Sequence, residues 1–301
     1  MTYRDLQKRI AELLGLPDDD TEFLTKIKSW INESYKAIAS MESWPWLITN
    51  GAIQTVEEIT TGTVSATEDS TAITFSSAPT PSVANWRIQF GSSDDWYTIS
   101  THTAAAAGAV LANAFLETTN ATDTYTLRKV YYQLFSDFDK MISARQSITR
   151  VKLEPVDLRL FDANIPDPRN TGSPSAYMIV GHDSSQQYQM ALHPVPDDEM
   201  NIDIRYYKKI ATDLSSDTDV PLIPDQYRPI IVFDVISRYG YLFLDDTRIS
   251  QAKSLRDQFM NDMKSSANPA PDLVVKKLPW DVAQRFTPIT NRLPFNFPIE
   301  E

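Results

Sequence analysis

Apolar residues recur at helical spacing over the first part of the chain. A first helix is predicted to begin after Thr2, which forms a capping-box pattern with Asp5, and to end at Gly15. Its apolar stripe consists of Leu6, Ile10, Leu13 and Leu14. A second stripe runs from Phe23 to Met41 and predicts a helix about 30 Å long. The chain therefore starts with two amphipathic helices.

Between Gly51 and Gln133 the pattern changes to strand-like alternation. Threonine becomes frequent there, and short runs such as WRIQF and WYTIS alternate apolar with polar residues. In WRIQF, Trp86, Ile88 and Phe90 would share one face of a strand and form part of a core. We also interpret the second half of the Ala-rich AAAAGAVLANAF as strand. Residues 50–133 are therefore predicted to form a small all-β domain, a barrel or a sandwich, inserted between two helical parts.

Helical spacing returns in LFSDFDKMISARQ, which begins at Leu134. Strands are predicted after it in AYMIVG, QYQMALHP and NIDIRYYKK. The turn PVPDDE is predicted to join the last two of these into an antiparallel hairpin. These strands would form a small antiparallel sheet.

The segment VPLIPDQYRPIIVFDVISRYGYLFLDD, from Val220 to Asp246, predicts a Pro-capped loop followed by one long helix. This helix opens at Pro224 and Asp225 and is apolar on nearly every side. Such a helix is normally buried all round, so we expect it to be the central helix of a bundle with the first two. A partner helix follows, with the stripe Ala252, Leu255, Phe259 and Met263. The predicted fold is α+β: a helical bundle core from residues 1–49 and 134–266, a small antiparallel sheet, the inserted β domain and an extended arm.

The arm, residues 267–301, is rich in proline and aromatic side chains. It contains six of the nineteen prolines and no glycine, so neither a regular helix nor a central strand is expected. Restricted backbone loses little entropy when it is immobilised, which suits a segment that docks on a neighbouring protein. The alternative is an arm that folds back on its own subunit. The predicted interface residues are Trp280, Phe286, Pro294, Phe295 and Phe297.

Composition narrows the possible partners. The formal net charge of −12 argues against an ordinary duplex-binding surface, because phosphate contacts need clustered Lys and Arg. The chain has no cysteine, which fits assembly in a reducing cytosol. Its first segment is an amphipathic helix and not a signal peptide, and its longest apolar run, Ile230 to Phe233, is too short to span a bilayer. We expect a soluble protein that does not enter a membrane.

Candidate chemistry is sparse. The histidines, His102, His182 and His193, lack the close pairing that metal sites commonly use, and no thiol is present. The sequence has no phosphate-binding glycine loop and no nucleophile elbow. Paired carboxylates, as at Asp94 and Asp95, lie in predicted turns, where Asp is favoured for local hydrogen bonds. We therefore predict no catalytic, cofactor-binding or metal-binding residues, no cofactor and no enzymatic activity.

The order of elements resembles the head-to-tail connector, or adaptor, proteins of tailed bacteriophages. The resemblance is carried by the first helices closed by WPWL, the Thr-rich β insertion, GSPSAYMIVG, ALHPVPDD, IRYYKK and DVPLIPDQYRPIIVFDVISRYGYLFLDD, which leads into a last helix. It spans most of the chain up to about residue 266. These are packing and turn residues, so their ordered combination carries the resemblance and no catalytic residue is implied.

The resemblance implies a virion structural protein at the head-tail junction, assembled in the cytoplasm of the bacterial host. Members form a ring homo-oligomer, usually a dodecamer, that docks beneath the portal protein and carries downstream nozzle or tail-tube proteins. DNA would pass through the ring during ejection without specific binding. An alternative of another class is a carbohydrate-binding or glycan-degrading virion protein, with the β domain as its binding module.

Overall fold

A computed structural model describes residues 1–17, 21–91, 93–160, 170–183 and 185–267. The predicted arm beyond Ala267 lies outside the described residues, and so do its five predicted interface residues. The chain divides into two compact units. Among the described residues, one unit contains Met1–Ser34 and the chain from Ser216 to Ala267, and the other lies within Tyr35–Ser215.

Helices build the first unit. They are α1 (Tyr3–Leu14), the first part of α2 (Thr21–Ser40), α3 (Pro229–Tyr239) and α4 (Asp246–Ala267). The capping box predicted at the start of α1 is present, since Thr2 Oγ1 accepts from the Asp5 N–H and the Asp5 carboxylate accepts from the Thr2 N–H. Gly15 ends the helix in the left-handed region at φ 69°, which favours glycine. These termini are local features, and the sequence pattern predicted them.

Strands nevertheless outnumber helices among the described elements, and the prediction of a helical bundle core is wrong. Fourteen strands form two seven-stranded sheets within the described residues. The apolar segment that suggested a long central helix is helical only over Pro229–Tyr239, because a 3-10 turn at Gly240–Leu242 ends it. Helix α3 still buries Ile231, Val232 and Val235 within the first unit, but the two sheets hold the larger cores.

The first sheet has the order β1-β14-β10-β11-β12-β13-β9. Neighbouring strands are antiparallel except β11 and β12, which are parallel. The strands are β1 (Ile48–Gln54), β9 (Tyr131–Gln133), β10 (Phe138–Gln146), β11 (Lys152–Pro155), β12 (Ala176–His182), β13 (Tyr188–His193) and β14 (Asn201–Lys208). One face buries a cluster that includes Phe138, Leu192, Ile204 and Tyr206.

Strand β10 lies where a helix was predicted. The strand has two register shifts against β14, between Phe138 and Lys140 and between Met141 and Ser143. Each bulge inserts a residue, so Phe138, Met141 and Ala144 all face the core although they are three positions apart. This spacing imitates a helical stripe, which is why the sequence pattern was misleading.

The predicted strands β12, β13 and β14 are present, but the predicted hairpin of β13 with β14 is not. Strand β13 pairs with β12 and β9, whereas β14 lies between β1 and β10. The turn after β13 therefore leads the chain to a different part of the sheet, and β14 does not pair with β13. The small antiparallel sheet of the prediction is one part of a larger mixed sheet.

The second sheet has the order β7-β2-β3-β6-β5-β4-β8 and forms a nearly closed barrel. Its edge strands β7 and β8 are separated in the chain by Thr124 alone, so the sheet must curve to bring its edges together. The strands are β2 (Val64–Ala66), β3 (Ala72–Phe75), β4 (Arg87–Phe90), β5 (Trp96–His102), β6 (Gly108–Leu111), β7 (Asn120–Asp123) and β8 (Tyr125–Arg128). Its core includes Trp86, Ile88 and Phe90, as the alternation in WRIQF predicted.

The second sheet is inserted into the first between β1 and β9. The segments that enter and leave the second sheet run side by side. Ile59 and Leu127 join them in an antiparallel bridge with backbone hydrogen bonds of 3.1 and 2.9 Å. Close to this junction Tyr132 is buried, and burial raises its pKa to about 12. Burial also lowers the pKa of Lys129, whose Nζ lies 4.9 Å from the centroid of the Tyr132 ring. Tyr132 therefore belongs to the core of the first sheet.

Candidate interaction surfaces

The outer face of the first sheet at β1, β14 and β10 is polar and exposed. Side chains alternate along β14, so that Ile204 and Tyr206 are buried while Arg205 is exposed on the opposite face. The neighbouring strands place Ser143 and Asn50 beside Arg205. Arg205 Nε donates to Asn50 Oδ1 at 3.1 Å. A groove of about 430 Å³ lies on this face, lined by these three side chains and by Arg145 and Asp203 among others.

This face is basic although the chain as a whole is acidic. Lys140, Arg145 and Arg205 are exposed on it, and the carboxylate of Asp203 lies on the strand position paired with Arg145. Within the part of the chain that the structure describes, none of the three cations forms an ion pair. We call these residues the basic sheet face. Unpaired cations grouped on one surface favour an acidic partner.

Strand β1 forms one edge of the same sheet. Among the described residues no strand pairs with its outer side, so every second N–H and C=O there lacks a backbone partner. Its sequence ITNGAIQ has neither a charge nor a proline, which are the usual devices that keep an edge strand from pairing with another chain. Gly51 packs against the Phe135 ring, which in turn stacks on Tyr206 with centroids 5.4 Å apart. Strand β1 therefore presents an unpaired edge to which a strand of another chain could be added through backbone hydrogen bonds.

The first unit contains a buried ion pair between its last two helices. The Asp234 carboxylate on α3 is 0% exposed. Arg238 Nε lies 2.8 Å from it, and Arg256 Nη1 on α4 lies 3.6 Å away. The angles of these contacts are not those of good hydrogen bonds, since neither carboxylate oxygen has a hydrogen-bond partner among the described residues. The pair is therefore mainly electrostatic.

The turn between α3 and α4 exposes apolar side chains. Tyr241 is 68% exposed and Leu242 is 56% exposed. Just before them, Tyr239 stacks on Trp30 with centroids 4.9 Å apart and donates to Glu33. Burial, and secondarily the hydrogen bond to Glu33, raise the pKa of Tyr239 to about 12. The turn thus exposes apolar side chains next to a tyrosine that is held by a stacked ring and a hydrogen bond.

A further surface feature lies on the outer side of the second sheet. A groove of about 230 Å³ is lined by residues from β4, β5 and the segment after β6. We call it the Trp96 groove; its side chains include Arg87, Asp95, Trp96, Asn113 and Leu116. Trp86 of the run WRIQF is in the core, whereas Trp96 lines this groove.

Sequence reasoning found these surfaces only in part. The basic sheet face was missed, because its cations lie on β10 and β14 and become neighbours only through the strand order. The described residues contain no group of His, Cys, Asp and Glu that could hold a metal ion. Among the described helices, none combines the length and the apolar character needed to cross a bilayer.

Comparison with known proteins assigns the chain to a family. A family model described as SU10 adaptor protein matches residues 82–274, more than half of the chain. The match includes strands of both sheets together with α3 and α4. None of the curated proteins compared with the chain matches it. The chain belongs to the SU10 adaptor protein family and is a structural adaptor of a bacteriophage virion.

Proposed function

We propose that this adaptor forms a ring beneath the portal, joins the capsid to the tail and lines the DNA channel. Family membership carries the proposal, because the family is one of structural adaptors and not an enzyme class. The ring would be a dodecamer, with the portal protein on one side and nozzle or tail-tube proteins on the other. It would lie at the head-tail junction of the virion after assembly in the host cytoplasm.

The basic sheet face and the β1 edge are the proposed contact between neighbouring subunits. A ring is a closed heterologous assembly, in which one surface of each subunit meets a different surface of the next. Chains of net charge −12 repel one another, so close approach needs a local surface of opposite sign. Lys140, Arg145 and Arg205 provide such a surface, and the unpaired edge beside them can add backbone hydrogen bonds.

The acidic balance also suits a channel through which DNA slides. Tight binding to DNA comes largely from counterions released when Lys and Arg neutralise phosphates. The acidic surfaces of the ring would form a lumen that does not neutralise phosphates, so the DNA inside it would keep its counterions. DNA would therefore pass during packaging and ejection without specific binding.

The arm, residues 267–301, is proposed to stabilise the assembly by docking on the portal or on a neighbouring adaptor. Its aromatic residues Trp280, Phe286, Phe295 and Phe297 are of the type that dominates interface energies, and Pro294 restricts the backbone between them. Truncation after Ala267 should leave the melting temperature of the isolated subunit nearly unchanged while abolishing stable attachment to portal rings in co-sedimentation.

Assembly with the cognate portal tests the ring and its contact separately. Wild-type protein mixed with portal rings should give a single ring-on-ring complex by native mass spectrometry and negative-stain microscopy. The Arg145→Glu/Arg205→Glu variant should lower occupancy by about tenfold or more, since close like charges cost over 1 kcal/mol. The matched control Arg9→Glu/Lys253→Glu changes the net charge equally at exposed positions of the first unit.

Two results would contradict the proposal at different points. If wild-type protein forms no ring on the portal, the adaptor-ring function is wrong. If the wild-type ring forms and the Arg145→Glu/Arg205→Glu variant assembles as well as the control, the basic sheet face is not the subunit contact. Raising the salt concentration should weaken the wild-type contact, because exposed charge pairs are screened.

A further inference from the structure

The Trp96 groove brings together side chains that the protein itself leaves available. The exposed Asp95 and Asn113 form no side-chain hydrogen bond or ion pair with any other described residue. Arg87 Nη1 donates to Thr98 Oγ1 at 2.6 Å and has no carboxylate partner in the described part of the chain, so its remaining N–H groups are available. Beside these groups lie the Trp96 indole and the side chain of Leu116, which is 72% exposed.

The groove is held in place by contacts behind it. Glu58 pairs with Arg128 at 2.9 Å, and the Arg128 guanidinium lies 5.1 Å from the Trp96 ring centroid. Arg128 is only 13% exposed, so this contact fixes the indole against the sheet. An aromatic ring held in this way loses little entropy when a ligand stacks on it.

The opposite side of the groove is also anchored. The Ala112 N–H donates to the Thr98 carbonyl at 2.7 Å, and the Leu116 N–H donates to Tyr97 Oη at 3.2 Å. Between these two contacts, Phe115 is 1% exposed and packs on Phe90, with the two ring centroids 4.7 Å apart. Asn113 is thus presented by a segment whose backbone is fastened on both sides of it.

We propose that the Trp96 groove binds a neutral saccharide. Vicinal hydroxyls of a sugar ring both donate and accept, which suits the acceptor carboxylate of Asp95, the carboxamide of Asn113 and the donor guanidinium of Arg87. The apolar face of the same ring suits an aromatic side chain. One carboxylate and one guanidinium leave the groove without net charge, so an uncharged sugar fits better than an acidic one. The site would give the virion adaptor a contact with neutral glycans of the host surface.

The test uses the full chain and follows the Trp96 indole N–H signal by NMR. The chain has six tryptophans, and the Trp96 signal is identified by its loss in Trp96→Phe. That variant removes no hydrogen bond, because Nε1 has no partner among the described residues. The probes are the methyl α-pyranosides of glucose, galactose and mannose, each up to about 50 mM, since one ring with few polar contacts binds in the millimolar range. Methyl glucuronide serves as the acidic probe.

At least one neutral glycoside is expected to shift the Trp96 signal in a saturable way. Asp95→Ala and Asn113→Ala should each weaken binding roughly fivefold to tenfold, since each removes a hydrogen bond worth about 1 kcal/mol. Asp94→Ala is the matched control, because Asp94 is the exposed neighbour of Asp95 but does not line the groove, and it should bind as wild type does.

Three results would overturn the proposal. They are no shift with any neutral glycoside, a shift with the glucuronide alone, or a shift equal in wild type, Asp95→Ala and Asn113→Ala. Asp95 and Asn113 are exposed, so both variants should keep the wild-type melting temperature, and loss of binding then reports on the site. None of these outcomes bears on ring assembly, which is tested independently with the portal.

Discussion

Removing both arginines that face Asp234 should destabilise the first unit strongly. The Asp234 carboxylate is 0% exposed, and its cationic neighbours in that unit are Arg238 at 2.8 Å and Arg256 at 3.6 Å. Methionine in place of each arginine keeps an unbranched side chain but removes the charge. An unpaired buried carboxylate costs about 3–5 kcal/mol. We expect the lower end of that range, since Arg238 is 36% exposed and water already screens part of the attraction.

A third substitution separates the charge effect from lost packing. Adding Asp234→Leu to Arg238→Met/Arg256→Met replaces the whole buried set by apolar side chains of similar size. Such replacements are often neutral or stabilising, so stability should return to within about 1 kcal/mol of wild type. The single variants should each cost less than the double variant, because one arginine remains beside the carboxylate.

Hydrogen exchange measures this effect in the unit where it arises. A chain with two compact units need not unfold in one step, so a single melting curve would mix the two. A loss of about 3 kcal/mol should speed exchange of the α3 amides roughly a hundredfold, while amides of β13 in the other unit stay unchanged. Exchange in the double variant within a factor of about five of wild type, or no recovery in the triple variant, would refute the electrostatic role of the pair.

Further predictions concern the second unit. Gly51→Ala should destabilise it by about 1–3 kcal/mol in denaturant unfolding, because the new methyl group would overlap the Phe135 ring, and Phe135→Leu should recover part of the loss. Phe90→Ala should cost about 3–5 kcal/mol, since this ring is 0% exposed in the barrel core; a loss below about 1 kcal/mol would contradict that packing. Replacing residues 60–126 by a short Gly-Ser turn should leave the first sheet folded by circular dichroism, because the bridge at Ile59 already joins the two ends; an insoluble product would show that the sheets fold only together.

Features that depend on neighbours in the chain could be predicted from the sequence. Thr2 and Asp5 cap α1 through groups three residues apart, and Gly15 ends it because only the local backbone has to turn. Alternation in WRIQF predicted which face of β4 is buried, since a strand with one polar face has a single way to bury the other. The order of such local features also identified the family.

The strand partners and the charged sites were decided by the tertiary structure. Two bulges in β10 change its alternation into a three-residue spacing, and the pattern alone cannot distinguish that spacing from a helix. The position of β14 between β1 and β10 depends on pairings more than fifty residues apart, and it alone gathers Lys140, Arg145 and Arg205 on one face. A local sequence pattern indicates which side of a helix or strand is apolar. Which helices and strands pack together depends on how several apolar sides are buried at once, and this is decided only in the tertiary structure.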